Sequence, residues 1–120
     1  MTLPEDLEKA ARAFGLKLRD HPLIQEYLAA KQKLEADAEA RALDERCEAM
    51  RLDLVARQQA GEMLPRAEVD TYYALNRQAR AHPLIAERDR TLQAAKAYLV
   101  QVGQDLSVAL GVDYTALAID

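Results

Sequence analysis

From Pro22 to Ala60 the chain reads as one unbroken helix, and this stretch limits the possible folds more than any other. Proline suits the first position of a helix, where its missing N–H costs nothing, and Gly61 supplies a stop at the other end. At 1.5 Å per residue such a helix is about 58 Å long, too long for a compact globule. Its apolar face must therefore be covered by something comparably long, either another helix or a second subunit. Strong helix formers dominate the 120 residues, and β-branched residues never run together, so the fold class is all-α.

Two apolar stripes mark this helix, Leu23, Tyr27, Ala30 and Leu34 first, then Leu43, Cys47, Met50 and Leu54. Between them the apolar content thins to alanine, and the stripes fall out of step by about two residues on a helical repeat. The expectation is a continuous helix with a thin waist. A shorter helix over residues 3–19 precedes it, opened by Thr2 and Glu5 at capping-box spacing and carrying Leu7, Ala11, Phe14 and Leu18 on one face. After the loop "AGEMLPRAEVD" a third helix covers 65–80, with Val69, Tyr72, Tyr73, Leu75 and Ala79. The fourth, 83–110, has the most regular pattern. Ile85, Leu92, Leu99 and Leu106 lie seven apart, with Ala95, Val102 and Ala109 completing a coiled-coil-like seam. Gly111 ends it and a tail follows over 111–120. The expected architecture is one four-helix domain spanning 1–120. Its two long helices form an antiparallel coiled-coil-like hairpin, with the two shorter ones beside it.

The motif R-x-H-P-L-I-x-E occurs twice, around His21 and His82. A zinc site needs three or four converging ligands, and neither histidine belongs to an H-x-x-x-H, H-E-x-x-H or C-x-x-C pattern. Each precedes a proline at a helix start, so a turn or capping role accounts for both. Cys47 sits in an apolar stripe, where cysteine behaves as a small hydrophobe. One cysteine does not hold an iron–sulfur cluster that needs four ligands. The carboxylates lie among Arg and Lys at i,i+4 spacing, and no nucleophile–base set, P-loop or glycine-rich dinucleotide motif is present. No catalytic residue, metal ligand or cofactor site is assigned, and the chain is not expected to be an enzyme. Arg77, Arg80, Arg88 and Arg90 form a basic cluster interrupted by Glu87 and Asp89, an alternative RNA contact but more simply a solvated face.

A net charge of −4 and a pI near 5.2 argue against a dedicated nucleic-acid binder, and no direct DNA binding is expected. The first residues lack the charged and apolar regions of a signal peptide, and no apolar run approaches the roughly 20 residues that span a bilayer. With one cysteine, a cytoplasmic, reducing location is expected, with no membrane partner.

Three stretches resemble the YlbF/YmcA family of small helical bacterial proteins, including its YheA-type members. They are "HPLIQEYLAAKQKLEAD", "RQQAGEMLPRAEV" and "HPLIAERDRTLQAAKAYLVQVGQDLSVALG", within a likeness that runs from about residue 5 to residue 112. The resemblance implies a cytoplasmic, often oligomeric, non-enzymatic regulator. Some members act in a complex that supports bacterial development and assists an endoribonuclease in mRNA maturation. Iron–sulfur clusters are associated with that complex, but Cys47 does not align with a cluster-binding cysteine, so no cofactor is carried over.

The expected function is a non-catalytic interaction or adaptor protein, a homodimer or larger oligomer within a heteromeric complex linked to RNA processing. The expected interface residues are Leu23, Tyr27, Leu34, Leu43, Met50, Tyr72, Leu92, Leu99 and Leu106. A metal- or cluster-binding regulatory module using His21, His82 or Cys47 is the first alternative, and a weak RNA-binding accessory protein the second.

Overall fold

The computed structural model describes residues 3–113. Among them are five helices: α1 (Glu5–Arg19), α2 (Pro22–Ala36), α3 (Ala38–Gln59), α4 (Arg66–Ala81) and α5 (Pro83–Leu110). No strand occurs among the described residues. Thr2 of the expected capping box and tail residues 114–120 lie outside the described range.

The expected 22–60 helix is corrected to two helices, which turns a four-helix reading into five. Asp37 breaks it, with an extended backbone at φ −96° and ψ 112°. Its carboxylate Oδ1 accepts the Ala40 N–H at 2.9 Å, while its own N–H donates to the Leu34 carbonyl at 3.2 Å. Aspartate is among the best N-caps because its short side chain satisfies a free amide of the new helix. The physical reason for the break lies in the two stripes. Leu34 and Leu43 are about two and a half turns apart, so a straight helix would point them in opposite directions. With the break at Asp37, both enter one core.

The chain divides into two compact units, one formed by the residues up to Leu28 together with those from Arg90 onward, the other by Ala29–Asp89. Unit two is built around the α3–α4 pair, whereas the sequence expectation paired the second helix with the last. Leu34, Ala40, Leu43, Cys47, Leu75, Ala79 and Ile85 form its core, with Met50, Tyr72 and Leu84 packed at its margin. The connection between α3 and α4 closes as a Schellman turn. Gly61 takes φ +84°, the left-handed conformation that glycine adopts without strain, and the Glu62 N–H donates to the Arg57 carbonyl at 3.0 Å. Arg57 then reaches Asp53 at 3.3 Å, Glu62 at 2.9 Å and Glu68 at 2.6 Å, linking the last turns of α3, the loop and the first turn of α4. These three carboxylates raise the guanidinium pKa further above its ordinary value.

Both His-Pro joints use the same chemistry. The Leu23 N–H donates to His21 Nδ1 at 3.1 Å, and the Leu84 N–H donates to His82 Nδ1 at 3.2 Å. Each histidine is thus an N-cap: the proline supplies the first helical position without an N–H, and the ring nitrogen satisfies the amide that follows.

Candidate interaction surface

α1 has the ingredients of a stable surface helix. Glu5, Asp6 and Glu8 lie in its first turn and Lys17 and Arg19 in its last, each sign at the end favoured by the helix dipole. Glu5–Lys9 and Glu8–Arg12 add exposed i,i+4 pairs. Yet none of its residues is buried. Leu7 is 54% exposed, Phe14 43% and Leu16 57%. An amphipathic helix that leaves its apolar residues in water has a face without a complete partner.

Within the same unit, the later half of α5 faces part of α1. Phe14 and Leu18 line a cleft with Tyr98, Val102, Asp105 and Leu106, enclosing about 280 Å³. At the end of α1 the His21 ring stacks on Tyr98, with centroids 3.9 Å apart and planes 18° from parallel. The His-Pro joint therefore both starts α2 and pins the end of α1 to α5. Past this contact, Leu99, Val100, Val108 and Leu110 of α5 are exposed. Val100 and Val108 lie off the seven-residue line through Leu92, Leu99 and Leu106. A helix with apolar residues on more than one side needs more than one neighbour, a signal that attention to the heptad seam alone passes over.

The expected interface residues fall into three groups. Leu34 and Leu43 are buried in the core of unit two, where their side chains serve the chain's own packing, and Met50 and Tyr72 pack at its edge. Leu23, Tyr27, Leu92 and Leu106 are half-buried. Leu99, 46% exposed, is the member of the set most open to solvent. Tyr73, adjacent to Tyr72, is 54% exposed and borders a groove of about 250 Å³ with Val55, Leu64 and Val69.

The basic cluster around the second joint is partly occupied by acid groups. Arg88 grips Asp44 with two nitrogens, at 2.7 and 3.1 Å, and reaches Asp89 at 3.0 Å. Arg80 pairs with Asp89 at 2.5 Å and approaches Asp44 at 3.8 Å. Hydrogen bonding to Asp44 is the main cause that raises the Arg88 pKa above its ordinary value, against the opposing effect of burial. This network ties α3, α4 and the start of α5 together, using charge that a phosphate would otherwise meet.

Cys47 is buried, and its thiol donates to Asn76 Oδ1 at 3.6 Å. Among the described residues, no three His, Cys, Asp or Glu side chains are grouped as a metal site would require. Nor is any helix among them long and apolar enough to cross a membrane.

Among known families, the model described as control of competence regulator ComK, YlbF/YmcA, matches residues 7–110. No curated protein and no solved structure matches the chain.

Proposed function

Because the chain belongs to the YlbF/YmcA family of competence-control regulators, we propose that it works as a non-catalytic helical adaptor, self-associating and docking onto protein partners in a cytoplasmic regulatory complex. The observation that carries this is α1, whose apolar residues find no buried position in a single chain. The exposed apolar end of α5 in the same unit extends that surface. A role beside an mRNA-maturation machinery is what the family likeness suggests for the heteromeric partner. Direct RNA binding draws less support, because Arg80 and Arg88 are paired with Asp44 and Asp89.

Sedimentation equilibrium at micromolar concentration tests the self-association. A mass that is a multiple of 13.4 kDa is expected, and a clean monomer would defeat the proposal.

A further inference from the structure

We infer that the partner of α1 is the α1 of a second copy, lying antiparallel across a twofold axis that passes between Ala10 and Ala11. This pairing rests on the self-association proposed above and specifies its face and direction.

Two independent features of α1 point to it. The first is the placement of its apolar residues. Leu7 and Phe14 are equally distant in sequence from the midpoint of Ala10 and Ala11, and so are Leu3, just before the helix, and Leu18. Reversing one copy against the other therefore sets Leu7 of each against Phe14 of its mate, with two small alanines at the closest approach. Twofold symmetry demands this kind of self-complementary patch. Leu3, Leu7 and Phe14 are all more than two-fifths exposed, so they are open to such a neighbour.

The second feature is charge. The acidic first turn with Glu5, Asp6 and Glu8 and the basic last turn with Lys17 and Arg19 make α1 polar along its length. Antiparallel pairing lays each acidic turn beside the other copy's basic turn, at both ends. Parallel pairing would put like charge on like, which is destabilising. The existing Glu5–Lys9 and Glu8–Arg12 pairs are solvent-exposed and leave these side chains free to share a second partner.

α1 is about 22 Å long at 1.5 Å per residue. A standard interface covers about 800 Å² on each partner, so the contact extends beyond α1 to the exposed end of α5 around Leu99.

Single cysteines read the geometry directly. Ala10→Cys lies within a residue of the axis, so its two copies meet, and added copper–phenanthroline with dissolved oxygen as the electron acceptor links them as a disulfide dimer. Lys17→Cys lies seven residues on, at nearly the same azimuth. Its copies are about 20 Å apart along an antiparallel pair but adjacent in a parallel one. Disulfides require Cα atoms within about 7 Å, so Ala10→Cys links and Lys17→Cys does not. The wild-type chain, whose Cys47 is buried, provides the blank. In sedimentation, Phe14→Asp weakens association by roughly thirty-fold or more, as loss of a central aromatic anchor does. The combined variants Glu5→Lys/Asp6→Lys/Glu8→Lys and Lys17→Glu/Arg19→Glu each dissociate alone and reassociate when mixed.

Because no residue of α1 is buried, these variants should keep the helical circular dichroism of the wild type. Linkage through Lys17→Cys, or an unlinked Ala10→Cys in a chain that still self-associates, overturns the antiparallel pairing and leaves the adaptor reading standing. A wild-type monomer overturns both.

Discussion

Replacing Asp37 by alanine tests whether one side chain holds the break between α2 and α3. The carboxylate accepts the Ala40 N–H at 2.9 Å, and loss of an N-cap of this kind costs about 1 kcal/mol. Alanine also favours helix over aspartate by up to roughly 0.7 kcal/mol, so the variant has an incentive to fuse the two helices. Fusion, however, would turn Leu34 away from the face that holds Leu43. Leu34 is 2% exposed, and returning its side chain to water costs about 2 kcal/mol. Burial outweighs propensity, so the break persists and the variant is less stable by about 1 kcal/mol. With an unfolding entropy near 2.1 cal/mol/K per residue, the 120 residues melting together would lose about 4 °C. Asp37→Asn, which keeps an acceptor, should recover most of this. Urea unfolding followed by far-UV circular dichroism measures both stability and helix content. An Asp37→Ala chain that is as stable as wild type and more helical would show that the cap alone had held the break, and would refute the argument from burial.

Other perturbations reach the remaining joints. Asp44→Ala leaves the half-buried Arg88 with Asp89 and should cost about 2 kcal/mol, while adding Arg88→Met should return part of it; a double-mutant cycle showing strict additivity would contradict the coupling. His82→Ala removes the acceptor for the Leu84 N–H and should cost about 1 kcal/mol, with His82→Asn restoring most of it in the same denaturation assay. Glu48 has its pKa lowered, chiefly by the hydrogen bond from Arg51, so its contribution is present above the ordinary carboxylate pKa and disappears as pH falls through the lower folded value. Glu48→Gln should therefore trail wild type slightly at neutral pH and draw level in acid; because the pair is exposed, salt should shrink the gap, and a gap independent of pH would exclude the linkage.

The all-helical class and most helix ends were readable because they depend on residues with few options. Pro22 and Pro83 begin helices, and Gly61 and Gly111 adopt positive φ where α3 and α5 end. The family likeness was readable too, from three long patterned stretches. The break at Asp37 was harder to see, since "EADAEA" has strong local helix propensity and the residue that caps the new helix lies inside it. The mismatch between the stripes was visible, and its cause was tertiary: Leu34 and Leu43 had to share a core. On the surface, the apolar face of α1 could be read from its spacing, but spacing does not reveal whether the chain itself covers that face. Leu34 and Leu43 looked as suited to a partner as Leu99 did, and only packing separates residues enclosed in a core from one left open.

The Arg57 node has a kinetic consequence. Its three carboxylates all lie between positions 53 and 68, so the loop that must close to form the node is short and loses little chain entropy. Helix pairs closed by near neighbours in sequence form early, ahead of contacts that join distant segments. The α3–α4 hairpin is therefore the natural nucleus on which Leu34 and Ile85 later settle. Arg57→Ala should accordingly slow refolding more than it speeds unfolding, and a chevron whose unfolding arm alone moved would place the nucleus elsewhere.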